Sequence, residues 1–264
     1  MAEVAIPFLM GRKRGMTQRF ADDGVIVPLT VVEAGPCFVT RTRTVEKDGY
    51  TAIQLGFEEC RPKVLSKARL GELGVARDGK EGRKKGEASE AAAPARLGKA
   101  VRHLREARFD KLHVNVKPPE ANVGDVVTVT SFAKNDWVDV VGTSKGRGFM
   151  GTIRAHHFNR GPASHGSMNV RQPGSVGSSA DPSHTFRGTR MAKHLGAARS
   201  TSKNLRVYDV DAERNLLYIR GAVAGPTGGL VVVRRATTPP PPPKAMPAVK
   251  KASSKGGPEK KAAK

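Results

Sequence analysis

The chain has 264 residues, a formal net charge of +22 and an isoelectric point near 10.5, with 38% hydrophobic and 5% aromatic residues. So large a positive excess indicates a polyanionic partner, either nucleic acid or an anionic membrane surface. Nucleic acid is favoured, because no apolar run approaches the roughly 18 residues that a transmembrane helix needs and no long basic amphipathic helix is evident.

The N-terminal residues do not have the pattern of a signal peptide. The apolar run at residues 4–10 precedes the basic cluster at residues 12–14, whereas a signal peptide has the opposite order. We therefore expect a cytoplasmic protein. Two cysteines, Cys37 and Cys60, cannot form a disulfide framework or a zinc site by themselves, and we interpret both as small apolar residues.

The N-terminal part of the chain has the pattern of consecutive β-strands. Residues 25–32 are rich in β-branched side chains, and residues 37–45 and 50–57 alternate in character. The turn sequences Asp-Asp-Gly at 22–24 and Lys-Asp-Gly at 47–49 separate them. Short strands at this spacing predict a barrel or a sandwich.

The strand pattern is lost over residues 61–96. Residues 77–94 are rich in charged residues, Gly, Ala and Ser, which is typical of a solvated excursion. Residues 97–108 are predicted to form a short helix whose basic face is solvated or contacts RNA. The apolar residues on the other side of that helix would be Ala100, Val101, Leu104 and Ala107.

Strand patterns return at residues 123–130 and 137–141. Further along, residues 205–210 and 216–220 flank the turn sequence Asp-Ala-Glu-Arg-Asn, which is a hairpin signature, and residues 230–233 form a last apolar strand. We expect these segments to belong to one sheet system, which the chain leaves and rejoins on either side of a long basic stretch.

That basic stretch, residues 142–206, carries the strongest functional signal. It contains eleven Lys and Arg against one acid, Asp181, together with five of the seven histidines and ten glycines. It has almost no apolar periodicity, so it cannot bury a core of its own. A long, basic, Gly-rich insertion needs an external partner to define its shape, and we interpret that partner as folded RNA.

Residues 146–151 match the G-x-G-x-x-G pattern of dinucleotide-binding loops. That function also requires a helix opening at the glycines, a βαβ unit and an acid about 20 residues further on. Residues 155–162 interrupt any helix early, and Asp181 lies too far along the chain. The glycines, with Lys145 and Arg147, suit a phosphate backbone better. A nucleotide-dependent oxidoreductase and a general nucleic-acid-compacting protein remain the alternatives.

The histidines of the basic stretch predict neither a metal site nor catalysis. No Cys or carboxylate lies near His156, His157 or His165 in the sequence, and Ser164 beside His165 has no orienting acid. We expect these groups to hydrogen-bond phosphates and 2′-hydroxyls. No cofactor is predicted.

Several separated motifs occur in the order found in one known family. They are Gly-Thr-Ser-Lys-Gly-Arg-Gly-Phe at 142–149, Gly-Pro-Ala-Ser-His-Gly at 161–166, Pro-Gly-Ser-Val-Gly at 173–177, Val-Asp-Ala-Glu-Arg-Asn-Leu-Leu at 210–217, and the N-terminal segments 11–20 and 23–24. Over residues 8–60 and 120–235 the chain resembles the universal large-subunit ribosomal protein three, the L-three family, in its bacterial form.

The resemblance implies a structural ribosomal protein and not an enzyme. Its β-barrel body would sit on large-subunit ribosomal RNA beside neighbouring ribosomal proteins, in the cytoplasm, with no membrane or DNA partner. Its central loop would reach toward the peptidyl transferase centre, deepest near residues 173–178, and the protein would support early subunit assembly. Ser178 stands where some bacterial relatives have a methylatable Gln, so we do not expect that modification.

The predicted fold is mainly β: a closed antiparallel β-barrel body, a long irregular basic central extension and a disordered C-terminal tail. The body comprises residues 1–141 and 204–236, with an irregular or helical excursion at 61–110. Residues 142–203 form an extended loop that penetrates RNA, and the Pro- and Lys-rich residues 237–264 form the tail.

The predicted RNA-binding residues are cations, or polar and glycine residues of the matching motifs. They are Arg12, Lys13, Arg14, Lys145, Arg147, Arg154, His156, His157, Arg160, Ser164, His165, Arg171, Gly174, Ser175, Gly177, Ser178, Arg187, Arg190, Lys193, Arg199 and Lys203.

Overall fold

The computed structural model describes residues 6–21, 23–75, 96–109 and 120–240. The predicted excursion at 77–94 and nearly all of the predicted tail lie outside the described residues. The strands are β1 (Phe8–Phe20), β2 (Ile26–Ala34), β3 (Cys37–Arg43), β4 (Ala52–Glu59), β5 (Val101–Arg108), β6 (Val126–Val127), β7 (Trp137–Thr143), β8 (Phe149–Met150), β9 (Lys193–His194), β10 (Arg199–Asp211), β11 (Leu216–Arg220) and β12 (Leu230–Arg235). The helices are α1 (Val45–Asp48), α2 (Lys67–Leu73) and α3 (Thr152–His156), and 3₁₀ turns occur at Pro62–Val64 and Val129–Ser131.

Six strands close an antiparallel barrel in the order β1-β12-β7-β10-β11-β2. The alternation of side chains explains the closure: in β12, Val231 and Val233 are buried, while Leu230, Val232 and Arg234 face outward and are half-buried. Closure pairs both edges of every strand and leaves no exposed sheet edge. The predicted closed antiparallel barrel is confirmed, and so is the pairing of strands from before and after the basic stretch.

Two strands of this barrel, β1 and β10, are unusually long. β1 and β10 each contain 13 residues, and each changes register partway along. The shift in β1 falls between Lys13 and Gly15, and one shift in β10 falls between Ser202 and Leu205, where Asn204 has φ 54°. Such bulges increase the local twist, and this helps a long strand to follow the barrel wall.

A second sheet, in the order β5-β4-β3-β6, packs against the barrel. One continuous hydrophobic core joins the two sheets, because barrel residues such as Leu9 and Val233 share it with Leu55 and Val127 of the second sheet. The predicted body is therefore built from two sheets, and only the segments 8–34, 137–143 and 199–235 contain barrel strands. A smaller cluster beneath α2 contains Phe38, Leu65, Leu70, Leu73, Ala100 and Val101.

The helix predicted at residues 97–108 is wrong. β5 is a strand that pairs antiparallel with β4, from Glu59 opposite Val101 to Ala52 opposite Arg108. The spacing of its apolar residues fits a helix, but the exposed edge of β4 offers a full row of hydrogen-bond partners, and this tertiary pairing overrides the local pattern. The strand predicted at 123–130 is also too long, since only Val126–Val127 pair as a strand and a 3₁₀ turn begins at Val129.

Candidate nucleic-acid interface

The extension, residues 144–198, leaves the barrel at the end of β7 and returns at the start of β10. Its first and last segments run antiparallel: the amide of Ser144 donates to the carbonyl of Ala198 at 2.9 Å, and the amide of Arg147 donates to that of Leu195 at 2.8 Å. The two-residue strands β8 and β9 continue this pairing. We call residues 144–150 and 193–198 the root of the extension; it is a narrow two-stranded ribbon.

Close backbone packing explains one glycine of the root, Gly196, and one glycine of β7 just before it, Gly142. Gly196 has φ 75°, and a Cβ atom there would overlap the carbonyl oxygen of Lys145. A Cβ atom at Gly142 would lie 2.5 Å from the carbonyl oxygen of Ala224. A side chain at Gly196 would push the two segments of the root apart, and one at Gly142 would push β7 away from the loop that contains Ala224.

Beyond the root, α3 carries the outgoing segment of the extension. Thr152, at the start of α3, is the one buried residue between residues 144 and 203, all of which the structure describes. The ring Nε2 of His156 lies 3.0 Å from the carbonyl oxygen of Met191, which ties the outgoing segment to the returning one. His157, with φ 59°, then ends the helix.

The distal part of the extension consists of two excursions. The amide of Gly161 donates to the carbonyl of Val170 at 3.0 Å and closes the first, which turns at His165 and Gly166. A cavity of about 470 Å³, lined by residues 156–161, Asn169, residues 172–174 and Arg190, lies where the two ends of the second excursion meet. In this second excursion residues 175–180 are all exposed. They include most of the predicted tip, whose contact with RNA stays a prediction.

The charge of the basic stretch is exposed and uncompensated. All eleven of its Lys and Arg are exposed, and none forms an ion pair with another described residue. By contrast, many cations of the body are paired, as in Arg43 with Asp48 at 2.5 Å and Arg19 with Asp209 at 3.1 Å. The exposed cations of the basic stretch therefore form a surface suited to a polyanion. They are Lys145, Arg147, Arg154, Arg160, Arg171, Arg187, Arg190, Lys193, Arg199, Lys203 and Arg206.

The N-terminal basic cluster differs from this surface. Lys13 is buried, and its ammonium donates to the carbonyls of Val223 at 2.7 Å and Gly225 at 3.3 Å. Burial, and then the nearby charge of Lys145, lower the pKa of Lys13. Since its ammonium is enclosed and occupied, the structure does not place Lys13 on the basic surface.

The two arginines of the cluster also have partners within the body. Arg12 donates to the carbonyl of Gly228 at 2.6 Å and pairs with Glu58 at 2.5 Å. Arg14 pairs with Glu33 at the barrel surface, where its side chain is still largely exposed. Arg12 and Arg14 therefore stabilise the body, and any contact with RNA there remains a prediction.

The polar and glycine candidates lie along the excursions. Ser164 and His165 are exposed at the turn of the first excursion. In the second, Gly174 and Gly177 have φ 83° and 153°, and the hydroxyl of Ser175 donates to the carbonyl of Gly177 at 3.4 Å. These positions present backbone and hydroxyl groups to solvent, the kind of groups that contact phosphates and sugars.

The alternative kinds of site find no support in the described residues. The glycines of residues 146–151 lie in the root and lead into the five-residue α3, and the strand pairs in the described part of the chain are all antiparallel. No three His, Cys, Asp or Glu side chains among the described residues come close enough to hold a metal ion. Within the same residues, no helix is both long and apolar enough to span a bilayer.

The fold and this surface together define a class: a β-barrel protein whose basic extension is suited to a polyanion. The family model described as ribosomal protein L3 matches residues 110–215. Over 223 residues the chain is 45% identical to the large ribosomal subunit protein uL3 of Pelotomaculum thermopropionicum and 47% identical to that of Heliobacterium modesticaldum, in each case covering 84% of this chain and 93% of the relative. The protein of the same name from Rhodopirellula baltica is 45% identical over 227 residues, covering 85% of this chain and 95% of the relative.

The chain therefore belongs to the ribosomal protein L3 family, in its bacterial form, and the resemblance inferred from its motifs is confirmed. Membership makes it a structural protein of the large ribosomal subunit and not an enzyme. The oxidoreductase alternative for residues 146–151 is thereby removed.

Proposed function

We propose that this protein binds large-subunit ribosomal RNA through its extension and its body, that the extension reaches toward the peptidyl transferase centre, and that the protein supports early subunit assembly in the cytoplasm. The neighbouring partners would be RNA helices and other ribosomal proteins. Family membership supports the reach toward the peptidyl transferase centre and the role in subunit assembly, and the geometry of the extension supports the mode of RNA binding.

The observation that carries the proposal is the set of eleven exposed cations without ion pairs in residues 142–206. Like charges brought together along a narrow ribbon repel one another, and the only acid of the stretch is Asp181. Phosphates would neutralise this repulsion. If roughly ten phosphates are contacted, the slope of log K against log salt concentration is about −7 to −9.

The shape of the extension suits a position between packed RNA helices. Its root is only two backbone segments wide, and apart from Thr152 it buries no residue against itself. A segment with so little internal packing gains its order from what surrounds it. RNA of irregular shape, with phosphates on both sides, would supply that surrounding in a way that regular duplex DNA does not.

Hydrogen exchange on the full chain, with and without large-subunit ribosomal RNA, tests this mode of binding. We expect the amides of residues 144–198 to exchange quickly in the free protein and to gain protection with RNA, while the buried barrel strands change little. Equal protection of the extension in both samples would overturn the proposal. Duplex DNA of equal phosphate concentration is the control, and the same gain with DNA would favour a general nucleic-acid-compacting protein.

A further inference from the structure

A cleft of about 520 Å³ lies away from the extension's distal excursions, between the barrel and the second sheet. Its volume falls within the range of roughly 300–1,000 Å³ that small-ligand sites occupy. It is lined by residues of β1, β7, β10 and β12 on one side and by Arg105 and Glu106 of β5 on the other. The two sheets meet nearby in one core, so the cleft is the open margin of their interface.

One wall of the cleft is apolar. Phe8 of β1, Val141 of β7, and Leu230 and Val232 of β12 line it from the outward face of the barrel. Phe8, Leu230 and Val232 are only half-buried, so the second sheet does not cover this wall fully. An aromatic ring beside aliphatic side chains offers a flat apolar surface of the kind on which a base stacks.

The rest of the cleft is positively charged. Its three arginines are Arg105, Arg199 and Arg234, and its one acid, Glu106, is already paired with Arg43 at 3.1 Å. Arg105 and Arg199 are exposed, and neither forms an ion pair within the described part of the chain. The cleft therefore has an uncompensated positive charge beside its apolar wall.

Arg234 holds an unused donor in this cleft. Its guanidinium reaches Asp139 at 3.4 Å through one terminal nitrogen, but its Nε is buried and has no hydrogen-bond partner among the described residues. A buried donor without a partner costs free energy, so the site is incomplete as it stands. A phosphate oxygen or a base carbonyl in the cleft would satisfy this donor if binding turned the Arg234 side chain so that Nε faced the ligand.

We propose that this cleft binds one unstacked nucleotide of the large-subunit RNA, with its base against Phe8 and its phosphate between Arg199 and Arg105. The inference rests on the proposed RNA binding and adds a second, distinct contact at the body. RNA fits better than a peptide strand of a neighbouring protein, because every uncompensated charge of the cleft is positive and a nucleotide combines a flat apolar base with an anion.

Filter binding of the full chain to large-subunit ribosomal RNA over a series of salt concentrations separates the two parts of the site. Arg105→Gln, which removes a cleft charge outside the basic stretch, is expected to reduce the magnitude of the salt slope by about 1. Phe8→Leu keeps the apolar volume but loses the ring, and is expected to weaken binding by about 5-fold or more at every salt concentration without changing the slope. Arg214→Gln, on the exposed turn between β10 and β11, removes the same charge outside the cleft and should change neither affinity nor slope appreciably.

Phe8 also packs against the core, so the circular dichroism melt of each variant is recorded to detect a loss of folding. Zero-length ultraviolet crosslinking of wild-type large subunits is a second test that needs no variant. We expect RNA adducts on Phe8 or on residues 230–234. If RNA adducts are confined to the extension and Arg105→Gln binds RNA like Arg214→Gln, the cleft proposal is overturned while the proposed function still stands. Protein adducts at the cleft would also overturn it, and wild-type protein without preference for ribosomal RNA would instead contradict the proposed function.

Discussion

The ammonium of Lys13 donates a hydrogen bond to the carbonyl oxygen of Val223 at 2.7 Å. It also reaches the carbonyl of Gly225, and the segment between these two residues packs against the end of β7 through the close approach of Ala224 to Gly142. The extension leaves the barrel at that point. Lys13 thus stabilises the base from which the extension starts, and it does so from inside the protein.

Replacing Lys13 separates this supporting role from RNA contact. Lys13→Met should lower the free energy of unfolding by about 1–3 kcal/mol, because the buried carbonyl of Val223 and the half-buried carbonyl of Gly225 lose their donor. The salt slope of RNA binding should not change. Lys145→Met is the matched control, since Lys145 is exposed: it should leave the unfolding free energy within about 0.5 kcal/mol and reduce the slope by about 1. Urea titrations and filter binding give the two readouts. Unchanged stability with a smaller salt slope for Lys13→Met would show that Lys13 contacts the RNA.

The close approach at Gly196 predicts a local defect. Gly196→Ala should distort the root, because the new methyl group overlaps the carbonyl oxygen of Lys145 and the residue also keeps a left-handed backbone at φ 75°. Gly148→Ala is the control: its φ is 72°, but no atom lies within 4 Å of the added Cβ, so it bears only the backbone strain of about 1–2 kcal/mol. Hydrogen exchange should show faster amides at Ser144, Arg147 and Leu195 in the first variant. Equal exchange in the two variants would contradict the packing argument.

An ion cluster joins the barrel to the second sheet and predicts a pH dependence. Burial raises the pKa of Glu58, but its hydrogen bond from Arg12 and the charges of Arg12, Arg102 and His103 outweigh burial and lower it. A carboxyl group with a lowered folded pKa stabilises the protein above its unfolded pKa of about 4.3 and loses that contribution as the pH falls through the folded value. The contribution is at most about 1 kcal/mol, since a third of the Glu58 side chain is exposed.

Glu58→Gln removes this contribution and gives the test. Urea titrations at pH 7, 5 and 3.5 should show a smaller loss of stability on acidification for the variant than for the wild type. Glu59→Gln is the control, because Glu59 makes an exposed pair with Lys99 at 2.9 Å and lies outside the cluster. A wild-type and a Glu58→Gln protein that lose stability in parallel would show that the cluster does not titrate as described.

The sequence predicted most strands correctly because their apolar residues alternate, and it failed where packing with a distant segment decides the structure. β5 has the apolar spacing of a helix, and only the free edge of β4 makes it a strand. The basic stretch was predictable from its charge alone. The roles of Arg12, Lys13 and Arg14 were not, since three adjacent cations look alike until the barrel register turns Lys13 inward. Arg105 and Arg234 were missed because they meet only through the contact between the two sheets.

The two excursions of the extension allow a matched test of reach toward the peptidyl transferase centre. Replacing residues 175–180 by two glycines shortens the second excursion but leaves the lining of its cavity and the Gly161 to Val170 hydrogen bond in place. Neither this segment nor residues 163–168 of the first excursion contains Lys or Arg, so the salt slope of RNA binding should stay close to wild type in both replacements. We expect subunits to incorporate both variants, and peptide-bond formation to slow at least several-fold only in the variant of residues 175–180.

The measurement is the puromycin reaction on purified subunits, with the amount of the protein in each subunit determined after a high-salt wash. Normal incorporation and normal rates in the variant of residues 175–180 would contradict a role for this excursion at the peptidyl transferase centre. Slowing by the replacement of residues 163–168 alone would assign the role to the first excursion instead. Both replacements leave residues His156–Gly161, which line the cavity, intact. A difference between the two variants therefore comes from the excursions themselves.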